Sequence, residues 1–311
     1  MYAVIDIGSN TIRLVIYKIE NGSYTVLLNK KEMAALASYV NDNMMSAAGI
    51  DKACHILLIF KKIAGDLNIE EIHAFATAAL RNISNSEYAV KEIEDRTGLK
   101  INVISGKTEA TLDFIGAART VSLTSGLLID IGGASTELVA YEEMKIKQAI
   151  SLPIGSLSAY RKYVMHFFPN KDEQKKIRGK VLQLLDKQES QSFAPDYPDI
   201  CGVGGTIRST KDVYNSLFGL SLQNRNMRAE YINGIIKPFL SKKSKTHIDR
   251  RTLDTLLDIV PDRIRTILPG MIILETLITR FNAKSILISR AGVREGYLTK
   301  MILKEFDDIE V

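Results

Sequence analysis

Residues 4–17 read VIDIGSNTIRLVIY, and residues 128–141 read LIDIGGASTELVAY. Aligned without gaps, Ile5, Asp6, Ile7, Gly8, Leu14, Val15 and Tyr17 recur as Ile129, Asp130, Ile131, Gly132, Leu138, Val139 and Tyr141, seven identities in fourteen positions. Unrelated β-hairpins share turn chemistry at only a few positions, so the match points to two related lobes from a duplication. A solenoid needs more and shorter repeats.

Each copy has the same local physics. An apolar run delivers an Asp to the end of a strand. A turn of small residues follows, Gly8-Ser9-Asn10-Thr11 or Gly132-Gly133-Ala134-Ser135-Thr136, and an apolar strand returns. Glycine admits positive φ and close backbone approach. Successive N–H groups in such a turn form an anion-binding concavity, to which Ser and Thr hydroxyls add donors. Asp6 or Asp130 at its edge can hold a hydrated cation opposite phosphate oxygens. Two facing copies would clamp a phosphate chain between lobes.

Outward from the hairpins, the pattern alternates between helix and strand. It predicts helices over 50–65 (with Ile56, Ile59, Phe60 and Ile63 on one face), 86–97 and 108–119, and strands over 72–77 and 100–104. In the second half it predicts strands near 144–151, 199–203 and 285–289, and helices near 155–165, 171–189, 205–216, 228–241, 249–258, 270–281 and 292–305. Such alternation implies mainly parallel sheets covered by helices, an α/β architecture of two lobes with a cleft between them. Gly126 marks the junction, giving lobes 1–122 and 123–311, with the last helix able to pack back on the first.

Composition bounds the rest. The chain has 311 residues, 46% hydrophobic and 25% charged, room for about two domains. No long uncharged apolar run appears, which excludes a helical membrane span. The start MYAVID has no basic segment, which argues against a signal peptide. Cys54 and Cys201 read as reduced thiols, and the four scattered histidines have no zinc spacing. The expected location is the cytoplasm. The net charge of +5 concentrates in Lys171, Lys175, Lys176, Arg178 and Lys180, and in Arg225, Arg228, Lys237, Lys242, Lys243, Lys245, Arg250 and Arg251. Solvated helix faces and a surface that attracts a polyanion both fit.

Further clusters carry candidate chemistry. Gly202-Val203-Gly204-Gly205-Thr206 follows an apolar strand and opens a helix, either as a phosphate contact at a helix N-terminus or as a packing turn. Ser289 to Gly296 repeats that arrangement, with Arg294 and Glu295 able to cap and pair. Arg81 is placed near a helix start, where a cation is unhelpful unless an anion lies near, although a surface ion pair also explains it. Glu109, at a helix start after Ser105, suits that position electrostatically; beside two Asp-hairpins it becomes a candidate base.

These segments together resemble the exopolyphosphatase/guanosine pentaphosphate phosphohydrolase (Ppx/GppA) family, of the actin-like ATPase, sugar-kinase and heat-shock chaperone superfamily. The carriers are DIGSNTIRLVIY at 6–17, ATAALRN at 76–82, ISGKTEA at 104–110, DIGGASTELV at 130–139, GVGGT at 202–206 and SRAGVREG at 289–296. The resemblance covers almost the whole chain and looks like the short, two-domain form. It implies two ribonuclease-H-like lobes around a cleft, and hydrolysis of a terminal phosphate from inorganic polyphosphate or of the 5′ γ-phosphate from pppGpp. By resemblance Glu109 is the base on the attacking water, and Asp130 and Glu137 act in catalysis and in binding Mg²⁺ or Mn²⁺, with Asp6 as a further ligand. Ser9, Asn10, Arg81, Gly132, Gly133 and Ser135, with Gly204 and Gly205, would hold phosphates. No nucleic acid or membrane partner is expected, and a homodimer is compatible. The family's first motif glutamate is Thr108 here, its third glycine is Ala134, and arginines expected after Gly155 and after Pro269-Gly270 are Ser158 and Met271. These departures leave room for a non-catalytic polyphosphate- or alarmone-binding regulator. An ATP-dependent kinase would share the Asp-hairpins but would need an adenosine pocket.

Overall fold

The computed structural model describes residues 1–20, 23–188, 193–237, 250–306 and 309. Contacts divide the chain into two units, Met1–Gly106 and Lys107–Val311. The division falls before the helix that follows Ser105, earlier than the expected 122/123 boundary, because that helix packs on the second unit's sheet.

In the first unit the strands β1 (Tyr2–Ile7), β2 (Thr11–Glu20) and β3 (Ser23–Met33) form an antiparallel meander. A small ladder, β4 (Val40–Asn41) with β5 (Met44–Met45), leads into α1 (Ala47–Asp66). Then come β6 (Ile72–Ala76), the single turn α2 (Ala78–Arg81), α3 (Ser86–Thr97) and β7 (Ile101–Val103). The sheet order is β3-β2-β1-β6-β7, with β6 and β7 parallel to β1 and its extension. Ser46 caps α1 by accepting the Gly49 N–H, and Gly98, at φ 65°, ends α3. The face of α1 that packs on Ile5, Ile7 and Leu14 carries Ile50, Ala53, Leu57, Phe60 and Ala64. Ile59 lies outside it and is exposed.

The second unit repeats the plan. Helix α4 (Gly106–Ala118) precedes the meander β8 (Ser125–Ile131), β9 (Thr136–Glu142) and β10 (Lys145–Leu152). There follow α5 (Ser156–Tyr163), α6 (Lys171–Asp186), β11 (Asp199–Val203), α7 (Gly204–Leu217), β12 (Asn226–Arg228) and α8 (Ile232–Ile236). Next are α9 (Arg250–Ile259), α10 (Ile267–Arg280), β13 (Ser285–Ile288) and α11 (Val293–Tyr297), which continues as a π turn over Leu298–Ile302. The order β10-β9-β8-β11-β13-β12 matches the first sheet, with β12 added as an antiparallel edge. Both units therefore have the expected ribonuclease-H-like α/β topology.

Side chains alternate across a strand, and β8 shows the result. Leu127, Ile129 and Ile131 face the core made with α5, α6, α7 and α10. Leu128, with Val139, Tyr141 and Val203, faces Ala110, Phe114 and Ala117 of α4. Covered on both faces, the strand reads as the continuous apolar run seen in the sequence.

Two expectations change. Strand β3 was not anticipated, since its outer pattern (Val26, Leu27 and Met33 exposed) hides the period. The helix expected over 228–241 reduces to α8, with β12 taking residues 226–228; residues 238–241 lie outside the described residues. So do residue 189 of the helix expected over 171–189 and residue 249 at the start of the one expected over 249–258, together with Lys242, Lys243 and Lys245 and the side chains of Arg250 and Arg251. The last helix packs on α4, a helix that the expected boundary had placed in the first lobe and that the contacts place in the second unit. Cys54 and Cys201 are buried free thiols. Among the described residues no helix is long and apolar enough to cross a membrane.

Candidate functional site

The register of the second hairpin sets Asp130 directly opposite Glu137. Both belong to the sheet face covered by α4, since Leu128 and Val139, two residues from each, pack there. Like charges in directly opposed positions repel. Helix α4 adds Glu109 in its first turn and Asp113 one turn later, on one helical face. Glu109, Asp113 and Glu137 are all buried, Asp113 at 0% exposure.

Four acids so placed cannot all hold ordinary charge. Burial, then the charges of Glu109 and Asp130, push the Glu137 carboxyl well above its usual range; hydroxyls of Ser151 and Ser135 pull the other way. The Ser151 hydroxyl donates to Glu137 Oε1 at 2.7 Å. Asp113 is raised by burial first, then by Asp130, Glu137 and Glu109, with the Val293 N–H the opposing influence.

On the other side of Asp130, β11 runs parallel to β8 and pairs Val203 with it. Gly204 then opens α7 at φ +79°, and a Cβ there would sit 1.8 Å from Asp130 Oδ1. Only glycine fits that approach. A Cβ on Gly205 would meet the Arg263 guanidinium at 2.2 Å. The α7 N-terminus has no side-chain cap, so its N–H groups and positive dipole end lie beside a cation. Arg208, one turn into α7, is lowered from its usual pKa by burial and then by Arg294, while Asp130, Glu295 and Asp113 oppose this. Arg263 is lowered by burial and by Arg208, with Asp130 and Asp262 opposing. Both side chains keep partial access to solvent. Three guanidiniums at an uncapped helix N-terminus form an anion-binding arrangement.

The two hairpin turns close identically: Gly8 N–H donates to Thr11 O and Gly132 N–H to Ser135 O, each at 3.0 Å. The expected positive φ is absent from both turns; among the described glycines it occurs at Gly98, Gly126, Gly204 and Gly219. Gly132 and Gly133 offer carbonyls to the first N–H groups of α5, at Ser156, Leu157 and Ser158. The Ser135 hydroxyl is spent on Glu137. In the first unit Ser9 is buried, and its carbonyl and that of Asn10 accept the Ala37, Ala34 and Ala35 N–H groups. Asp6 lies opposite Arg13, not an acid. Arg81 stands at the end of α2, which is one turn long, so the dipole favours it there, contrary to the expected helix start. It donates to Ile104 O at 3.2 Å.

The second unit thus brings Glu109, Asp130, Glu137, Gly204 and Gly205 into one site. Asp113, Arg208 and Arg263 belong to that site and were missed. Asp113 had a signal: an acid four residues after Glu109 inside the apolar run ATLDFIGAA. Arg208 and Arg263 had none, since only tertiary packing places them. Among the described residues no three His, Cys, Asp or Glu side chains can hold a metal by themselves. Asp130 with Glu137 still fits Mg²⁺, which takes one or two carboxylates and completes its shell with water and phosphate oxygens. A surface pocket of about 650 Å³ bounded by Arg228, Glu275, Asn282 and Lys284 contains none of these acids.

A family model described as "Ppx/GppA phosphatase family" matches residues 15–305. The chain is 30% identical over 305 residues to a bifunctional 3-dehydroquinate synthase/phosphatase of Fusobacterium nucleatum, covering 92% of this chain but 44% of that protein. It is 24% identical to a putative exopolyphosphatase of Haemophilus influenzae, covering 95% and 90%. A guanosine-5'-triphosphate,3'-diphosphate pyrophosphatase of Pseudoalteromonas translucida is 28% identical, covering 97% and 59%. The chain thus spans about half the length of two of these relatives. In fold it matches the Aquifex aeolicus member of the Ppx/GppA protein family at TM-score 0.77 and 24% identity, covering 98% of each chain. An exopolyphosphatase from Cytophaga hutchinsonii matches at 0.83 and 21%, covering 99% of this chain and 98% of that one.

Proposed function

The chain belongs to the Ppx/GppA phosphatase family, and we propose on that premise that it hydrolyses the terminal phosphoanhydride of inorganic polyphosphate. The observation that carries the reading is the division of the site at Asp130, with buried acids on one side and three arginines on the other. Phosphoryl transfer needs both: anchors for the phosphate oxygens, and carboxylates for water and cation.

Arg208, Arg263 and the N–H groups at the start of α7 hold the terminal phosphate. Glu109, in the first turn of α4, orients a water and takes its proton as the water oxygen bonds to phosphorus. The bridging P–O bond breaks, and its electron pair leaves on the shortened chain. Asp130 and Glu137 would hold Mg²⁺, which would neutralise charge developing on phosphate oxygens. Burial and like-charged neighbours suit Glu137 to bind a cation, because the cation relieves their repulsion.

A second substrate, pppGpp, is supported by the pyrophosphatase relative. Coverage favours polyphosphate, since the chain spans 90% of the relative named as an exopolyphosphatase and 59% of the one named for the nucleotide. Two buried free thiols fit a cytoplasmic setting.

The test is Mg²⁺-dependent phosphate release from long-chain polyphosphate and from pppGpp, beside Glu109→Gln. Release from polyphosphate that collapses in the variant is expected. Release from pppGpp alone moves the substrate to the alarmone. Binding of polyphosphate with no release from either leaves a non-catalytic binder and overturns the hydrolase.

A further inference from the structure

The first basic cluster has no place in the mechanism above, and it borders an apolar corner that folding leaves uncovered. Between α5 and α6 the chain reads VMHFFPN over 164–170. Val164, Phe168 and Pro169 turn inward, whereas Met165, His166 and Phe167 are exposed. Met165, at 84%, is the most exposed large apolar side chain among the described residues.

This corner is clamped from within. The Met165 N–H donates to Glu173 Oε1 at 2.9 Å, and the Asn170 N–H to Glu173 Oε2 at 2.8 Å. Gln174 Nε2 donates to the Pro169 carbonyl at 3.0 Å. Glu173 and Gln174 are buried, Val164 and Phe168 belong to the core, and the Phe167 ring leans on Phe168 with centroids 4.9 Å apart. Apolar side chains held in water by so many fixed contacts mark a surface that meets something.

The charge around them has one dominant sign. Arg161 and Lys162 close α5, and Lys171, Lys175 and Lys176 open α6. The inner face of α6 carries Glu173, Gln174, Ile177, Val181 and Leu184, so the three lysines stand on the outer face, accompanied by Asp172. Among the described residues none of Lys162, Lys171, Lys175 and Lys176 forms an ion pair, whereas Lys18, Lys62 and Lys147 pair with acids. Lys171 also occupies the first position of α6, the positive end of the helix, where a cation costs stability. Helix formation does not account for it.

An anionic lipid surface satisfies both features, with headgroup phosphates for the cations and an acyl boundary for the apolar tip. A free polyanion would use the lysines and leave Met165 and Phe167 in water. The sequence leads to no membrane partner and no described helix can span one, but a corner that lies on a membrane needs no span. Helix α5 sets the corner about 12 Å from the Gly132-Gly133 turn that receives its first N–H groups, which separates it from the acid cluster.

We propose that the corner 164–171 docks this protein reversibly on an anionic membrane surface: Met165 and Phe167 enter the acyl boundary, and the flanking lysines meet headgroup phosphates. The test is co-sedimentation of the full chain with vesicles of phosphatidylcholine alone, or of equal parts phosphatidylcholine and phosphatidylglycerol. Wild type is expected to sediment with the mixed vesicles only and to be released by high salt. Met165→Ser with Phe167→Ser should weaken that binding about tenfold or more. Lys175→Gln with Lys176→Gln should weaken it about 25-fold, roughly fivefold for each lysine. Both variants should keep the wild-type Tm, since the clamp on the exposed residues uses backbone N–H groups. A wild type that stays in the supernatant with mixed vesicles overturns the proposal, as does equal binding to phosphatidylcholine alone. So does a serine variant that binds like wild type while the glutamine variant fails, an outcome that would leave a site for a soluble polyanion. Hydrolysis of polyphosphate does not enter these readouts, so docking and the phosphohydrolase reading stand or fall separately.

Discussion

Replacing Gly204 by alanine separates two costs that the structure makes calculable. The residue sits at φ +79°, where an L side chain loses about 1 kcal/mol or somewhat more. Its new Cβ would also begin 1.8 Å from Asp130 Oδ1, against a minimum of about 3.0 Å for real contacts, so the carboxylate must withdraw by about 1.2 Å. A catalytic group misplaced by about 1 Å costs on the order of 100-fold in rate. Backbone strain alone lowers Tm by about 2–4 °C per kcal/mol in units of this size. Gly219 supplies the control, with φ +61° and nothing within 4 Å of a Cβ. Gly204→Ala and Gly219→Ala are therefore expected to lose similar melting temperature from strain, with any excess at Gly204 due to the clash. Phosphate release should fall about 100-fold only in the former. The assay is initial-rate phosphate release beside thermal unfolding monitored by circular dichroism. If Gly204→Ala retains activity within twofold of Gly219→Ala, the placement of Asp130 in the reaction is refuted.

Other consequences follow from the same site. Glu109→Gln should lower kcat by about 10²–10⁴, as expected for a water-directing base, without lowering Tm, since it also relieves repulsion on Glu137 and Asp113; single-turnover kinetics and thermal unfolding read the two effects. Arg263→Lys should raise KM for polyphosphate while leaving its salt dependence nearly unchanged, since lysine keeps the charge but cannot replace the planar fork, and a KM series against ionic strength checks this. Glu137 has a folded pKa raised above its ordinary 4.5. Above 4.5 the native state therefore holds more protons than the unfolded chain, and stability falls as pH rises toward the folded value. Tm measured across that window should decline less steeply in Glu137→Gln than in wild type. Mg²⁺ should raise the wild-type Tm at neutral pH and leave Glu137→Gln nearly unmoved; a chelator titration reverses the shift.

The fold was legible because its decisive features are local. A strand, a small-residue turn and a return strand recur twice, and hairpin register then forces Asp130 opposite Glu137. Glu109 was legible through its helix start. Arg81 was misplaced because the chain between Arg81 and Ser86 breaks what reads as one helix into two. Gly132 and Gly133 were read as backbone donors, whereas their carbonyls serve the first turn of α5, a long-range partner that no spacing discloses. Arg208 and Arg263 stand on different helical segments and meet only at the start of α7. Asp113 looked like a stray charge in an apolar stretch, which is what a buried functional acid looks like before its neighbours are known.

The two hairpins differ most in one cross-strand partner: Arg13 faces Asp6, while Glu137 faces Asp130. A duplicated scaffold offers two equivalent positions, and a single change of sign has given them different occupations. One copy sets a cation across the ladder from its aspartate; the other sets a second acid there and draws its cations, Arg208 and Arg263, from farther along the chain. Reversing that choice with Arg13→Glu would give the first copy the acid pair of the second without those distant arginines, a retrograde step along the route by which paralogous halves of one polypeptide divide their labour.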